Sequence, residues 1–290
     1  MLRVLFRRLA LSASLAVLLS ISLSSGTPTA SAKSLATDGT HYYVAETANA
    51  PSGAFGASAY MDIWHPFVNT ATGDIESLAQ IAVFNGSPTL FGITYTKDIE
   101  VGWVVAPGQY GDYAPHLFVY VRDFWKGGGN SACLVQNDAS SSTGWSCGFV
   151  PFTGANDWPG EPLILSDGTV KTFYTAHYPG CWLIQYDANW IGCISDSWFN
   201  DGHGTFTSVA AAQWQGEVDE FSQTTYMGNG NCGTKSNSAH IYTMGIETTS
   251  GTKFLSQLHP VFAHRSPQLY NGKTFDNGNS LAYGGPTGCP

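Results

Sequence analysis

Basic side chains are scarce in this sequence. Twelve lysines and arginines stand against 21 aspartates and glutamates among 290 residues, and charged residues make up only 11% of the chain. A chain so poor in cations has little with which to hold a phosphate backbone or an anionic bilayer, which argues against nucleic acid and membrane surfaces as partners. The signatures of several enzyme classes are missing too. No HExxH or CxxC spacing offers a zinc site, and no GxSxG marks an α/β-hydrolase. Gly127-Gly128-Gly129 lacks the lysine-serine pair and following helix of a phosphate loop and reads as a turn. No metal or cofactor is implied. Long amphipathic helical patterns, internal repeats and charged linkers are also lacking.

What is present starts with an export signal. Arg3, Arg7 and Arg8 form a basic front, an apolar run follows from Leu9 to Leu23, and Ala30-Ser31-Ala32 offers small residues to a cleaving peptidase. Ser12, Ser14 and Ser20 interrupt the run, which speaks against a permanent anchor. Residues 1–32 are therefore expected to be a signal peptide, and residues 33–290 a single secreted, extracellular domain. Loss of the three arginines takes the formal net charge from −9 to −12.

Segments rich in β-branched and aromatic residues recur between Gly, Asn, Asp and Pro clusters, among them Asp98–Val105, Leu117–Trp125, Lys171–His177 and His240–Glu247. Several alternate with a period of two. Many short strands with frequent turns imply an all-β sandwich of two antiparallel, jelly-roll-like sheets. All six cysteines lie in the exported part, and an even number there implies a disulfide framework. Folding Cys181–Tyr186 onto Trp190–Cys193 about Asp187 sets Cys181 opposite Cys193, within disulfide reach. Cys133 and Cys147 would close a local loop, which leaves Cys232 to pair with Cys289.

Most acidic residues sit in turn-like settings. Two do not. In Asp98-Ile99-Glu100-Val101-Gly102-Trp103, strand alternation sends Glu100 and Gly102 to one face and Ile99, Val101 and Trp103 to the other. In Gln213-Trp214-Gln215-Gly216-Glu217-Val218, the two glutamines and Glu217 share a face. Two carboxyl groups facing one another across a sheet form a workable acid–base pair, because repulsion and burial keep one protonated while the other ionises. One draws a proton from water while the other donates to a carbonyl oxygen or leaving group. Gln215 or Gln213 could hydrogen-bond a developing oxyanion, and Trp103 is a candidate substrate contact. Histidines 177, 203 and 240 stand in no pattern that selects a nucleophile partner.

With these residues in view, the sequence resembles the neprosin family of glutamic endopeptidases from about His41 to Cys289. His41-Tyr42-Tyr43-Val44 is similar to the family's opening His-Tyr-Ala-Val. Asp98-Ile99-Glu100-Val101-Gly102-Trp103 followed by Pro107 and Tyr110-Gly111-Asp112 is the most specific likeness. Gln215-Gly216-Glu217-Val218, Met227-Gly228-Asn229-Gly230 and Tyr283-Gly284-Gly285-Pro286 continue it in order. The resemblance implies a sandwich with an active-site groove, a catalytic glutamate pair at Glu100 and Glu217, and acid-optimal cleavage of a protein or peptide substrate, often after proline, by a monomer. Gly192-Cys193-Ile194-Ser195 stands where the family has Gly-Tyr-Trp-Pro. Two other readings stand beside it: a β-sandwich glycoside hydrolase, which also needs two carboxyls and an aromatic groove, and a noncatalytic binding module on the same fold.

Overall fold

A computed structural model describes residues 39–86, 97–124, 131–155, 157–200, 202, 204–255, 262–263, 268–287 and 289. The signal-peptide segment, Gly127-Gly128-Gly129 and His203 lie outside the described residues. The strands are β1 (Thr40–Asn49), β2 (Ala54–Ile63), β3 (Glu76–Phe84), β4 (Lys97–Val105), β5 (His116–Asp123), β6 (Ser131–Leu134), β7 (Phe149–Pro151), β8 (Thr169–Tyr178), β9 (Cys181–Tyr186), β10 (Asn189–Ser195), β11 (Ala211–Glu220), β12 (Ala239–Thr248), β13 (Gly251–Phe254), β14 (Phe262–Ala263), β15 (Asn271–Phe275) and β16 (Ser280–Gly284).

They form two antiparallel sheets packed face to face. One has seven strands in the order β14-β1-β11-β3-β4-β5-β6. The other has nine, in the order β15-β16-β12-β2-β8-β9-β10-β7 with β13 hydrogen-bonded to β12. Alternation supplies the core between them. From the first sheet come Val44, Ile81, Val101, Trp103 and Trp214, and from the second Met61, Phe173, Trp182 and Ile241, all fully buried. Each such side chain contributes about 1.5–3 kcal/mol on leaving water. Gly216 shows how close the sheets come: a Cβ there would lie 2.0 Å from the Tyr283 ring. That tyrosine, from the far sheet, packs directly beneath the backbone that carries Glu217.

Cys133–Cys147 and Cys232–Cys289 are disulfide-bonded as expected. Cys181 and Cys193 are not bonded to each other, which corrects the third expected pair. The hairpin register explains it. The turn holds two residues, Asp187 and Ala188, because Asn189 already pairs with Tyr186; a bulge between Trp190 and Gly192 then slips the ladder by one more. Cys181 ends up opposite Ser195 and Cys193 opposite Leu183, so the thiols are diagonal neighbours on one face.

Candidate active site

The face of the seven-stranded sheet turned away from the core is polar at its centre. On β4, Ile99, Val101 and Trp103 enter the core while Asp98, Glu100 and Gly102 turn outward; on β11, Trp214 and Val218 enter it while Gln213, Gln215 and Glu217 turn outward. Both glutamates singled out by the sequence therefore share one face of one sheet, instead of facing each other across it. Strand β3 runs between them. Glu217 registers with Leu78 of β3, whereas Glu100 registers with Ala82. An offset of two strands and four residues separates their backbones by roughly 16 Å on a flat sheet. The carboxyl groups therefore do not touch.

Gln80 occupies the middle of that diagonal. It pairs in register with Gln215 on one side and Gly102 on the other. Its side chain hydrogen-bonds Glu100, and Gln215 Nε2 donates to Glu217 Oε2 at 2.7 Å. Two neighbouring amides, each bonded to one of the acids, thus lie along the diagonal between them. Gly102 owes its identity to backbone crowding, since a Cβ there would lie 1.9 Å from the Ala79 carbonyl oxygen. Gly102 thus marks a close approach of β3 and β4.

Each acid has its own cation. His41 of β1 meets Glu217 Oε1 through Nδ1 at 2.5 Å, and its Nε2 lies 3.4 Å from Asp219 Oδ2. These carboxylates raise the imidazole pKa to about 9, the hydrogen bond that His41 donates to Glu217 contributing most and burial opposing it. His41 is therefore favoured as an imidazolium facing Glu217. Arg122 of β5 grips Asp98 and places an Nη2 2.5 Å from Glu100 Oε1. One guanidinium between two buried carboxyls leaves one proton on that pair. Burial, resisted by Arg122, raises Glu100 to about 8 and pushes Asp98 up as well. Glu76, in register with Asp219, is also raised to about 8 by burial and then by the charges of Glu217 and Asp219.

Trp103 does not belong to this face. Its ring is fully buried between the sheets, and Nε1 donates to the Asp62 carbonyl at 3.0 Å, which corrects its reading as a substrate contact. Gln213 is on the site face in the same cross-strand row as Glu100. His177 pairs with Asp196, and the backbone N–H of His240 donates to Asp62, so both are engaged away from the two glutamates. His41, Arg122 and Gln80 were not read as site residues from the sequence. The period-two pattern does put His41 and Tyr43 on one face of β1, but nothing local names their partner strand. Among the described residues, no group of three or more His, Cys, Asp or Glu is arranged to hold a metal ion.

A protein-family model described as Neprosin matches residues 73–286. Among solved structures, a scytalido-glutamic peptidase bound to a peptide-based transition state analog matches at 7% identity, covering 86% of this chain and 99% of that one, with a TM-score of 0.42. SCP-B, a member of the Eqolisin family of peptidases in complex with the tripeptide Ala-Ile-His, matches at 9% identity over 86% of this chain and 99% of that one, TM-score 0.38. A glycoside hydrolase family 16 endo-glucanase from Bacteroides ovatus matches at 9% identity over 62% and 66%, TM-score 0.35.

Proposed function

This chain belongs to the neprosin family, and from that premise we propose that it is a secreted, acid-active glutamic endopeptidase whose working pair is Glu217 and Glu100. The observation that carries the reading is the split in ionisation along one polar diagonal. Glu217 is ion-paired to His41, while burial favours the protonated form of Glu100. That is the division of labour amide hydrolysis needs.

The substrate amide lies over Gln80 and Gly102, between the two acids. Glu217 takes a proton from water as the water oxygen bonds to the carbonyl carbon, and Glu100 gives its proton to the carbonyl oxygen. The tetrahedral adduct then collapses. Glu217 passes its proton to the leaving nitrogen, the C–N bond breaks, and a hydroxyl proton of the adduct returns to Glu100, leaving a carboxylic acid and an amine. His41 steadies the carboxylate before attack. Gln215 and Gln80 supply amides that can hydrogen-bond charge developing on the substrate. The family resemblance adds cleavage after proline, and the basic-apolar-small pattern of residues 1–32 adds export ahead of a catalytic domain at 33–290.

The test is digestion of a denatured protein mixture at about pH 4 with mass spectrometry of the new termini. New peptide ends, enriched after proline and absent with Glu217→Gln, are the expected result. Reducing-sugar release from polysaccharide without new peptide ends would transfer the pair to glycoside hydrolysis.

A further inference from the structure

A second site opens at the end of the sandwich, where β2 leaves its sheet. There a cleft of about 790 Å³ is walled by the rings of Trp64, Phe67, Tyr113 and Tyr226. His65 and Asp167 stand at one edge and Asn231 and Asn237 at another. Among the described residues, no lysine, arginine, leucine, isoleucine, valine or methionine lines it. The lack of a cation disfavours a phosphate or carboxylate ligand, and the lack of aliphatic side chains disfavours an acyl chain.

The rings are held by their surroundings. Trp64 rests against Gly168, whose φ is +77°. Phe67 and Tyr226 pack edge to face at 5.8 Å, and the backbone N–H of Tyr226 donates to the Phe67 carbonyl at 2.8 Å. The Tyr226 ring also lies over Gly230, where a Cβ would come within 2.4 Å of it. The Tyr113 hydroxyl is fixed by Thr70 at 2.8 Å.

The polar groups are similarly ordered, with atoms left over. Asp167 Oδ1 accepts the His65 backbone N–H at 2.9 Å and meets His65 Nδ1 at 2.7 Å, leaving Asp167 Oδ2 and His65 Nε2 for a ligand. Asn229 is used internally: its Nδ2 donates to the Asn237 carbonyl at 2.6 Å, and its Oδ1 accepts the Asn231 N–H at 3.1 Å. That bracing leaves Asn231 Oδ1 and the Asn237 side-chain amide over the cleft.

We propose that this cleft binds a neutral oligosaccharide. A pyranose offers a C–H face that packs on aromatic rings. Around that face it carries hydroxyls that both donate and accept, matching two amides, an imidazole and a carboxylate. The cleft falls within the about 300–1,000 Å³ typical of small-molecule sites. A run of prolines also suits aromatic walls, but it has no hydrogen-bond donor to offer Asp167 Oδ2, whereas a sugar offers its hydroxyl O–H groups. Among the described residues a single carboxylate lines the cleft, and glycoside hydrolysis uses two, so the proposal is of a sugar held and not cut.

The experiment is titration calorimetry of the full chain with neutral hexasaccharides of glucose, xylose, mannose and N-acetylglucosamine, with decaproline as the peptide arm. One or more sugars should bind with Kd below about 1 mM. Asp167→Ala and Asn237→Ala, both at exposed side chains, should each weaken that sugar about tenfold, and Trp64→Ala should abolish binding. Glu217→Gln should bind it unchanged, which keeps this site's test separate from that of the peptidase. Failure of every sugar at about 1 mM, binding indifferent to Asp167→Ala and Asn237→Ala, or capture of decaproline alone would each overturn the proposal.

Discussion

Gln80 stands on the diagonal between Glu217 and Glu100, hydrogen-bonded to the second and paired in register with the glutamine that bonds the first. This relationship makes the amide, and not either acid alone, the centre of the site. A donor to Glu100 favours its charged form. Gln80→Leu should therefore push the Glu100 titration up and move the alkaline limb of the pH–rate profile to higher pH. It should also lower kcat about 10- to 100-fold through loss of a polar contact to the substrate. A pH–rate profile with an unmoved alkaline limb would remove Gln80 from this role.

The wild-type profile itself follows from the cited shifts. Glu100 must keep its proton, and burial holds it to about 8. His41 must keep its charge, and its carboxylate neighbours hold it to about 9. Activity should fall across about pH 8–9. Glu100→Gln and Glu217→Gln should each cost at least about 10³-fold in kcat with unchanged circular dichroism. His41→Asn should cost about 10- to 100-fold in kcat, because Glu217 loses the imidazole that contacts its Oε1.

Stability should run with acidity. Glu46, Glu76 and Glu100 are each raised to about 8 chiefly by burial, against about 4.3 in an unfolded chain. For a raised carboxyl, the stabilising contribution is complete below the unfolded value and is lost as pH climbs to the folded one. His41, raised to about 9, acts in the same direction. Asp74, lowered by its hydrogen bonds from Ser222, Thr225 and Phe221 against the opposing effect of burial, acts oppositely at the acid end. The melting temperature should therefore be higher at about pH 5 than at about pH 8. Neither Glu46 oxygen has a hydrogen-bond partner among the described residues. Glu46→Met should raise stability at about pH 8 by about 1–3 kcal/mol and by less at about pH 5. Calorimetric melts at the two pH values decide this.

The cysteines should divide into four and two. Cys133→Ser opens a loop with a sequence separation of 14 and should cost about 3 kcal/mol. Cys193→Ser removes no crosslink and should cost under about 1 kcal/mol. Burial lifts the Cys193 thiol to about 12, so alkylation of the folded chain should be slow and denaturation should release two reactive thiols. A mass shift showing six bonded cysteines would contradict the register seen here.

The sequence carried the faces of strands well and their partners poorly. Alternation put Glu100 and Glu217 outside the core because each faces apolar neighbours on both sides along its own strand. It could not show that β3 separates them, because pairing in a sheet is non-local. His41 and Glu217 stand 176 positions apart, and no local pattern links them. The hairpin at Asp187 was legible as a hairpin, but its turn is centred between Asp187 and Ala188 instead of on Asp187, and that half-step together with a bulge after Trp190 moved the cysteines past each other. Trp103 was assigned to substrate although its own alternation placed it in the core with Ile99 and Val101.

His41 can meet Glu217 only once β1 has paired with β11, 176 positions away at that contact. Long-range strand pairing is slow to form, so this ion pair should appear later in refolding than a local hairpin such as β9–β10.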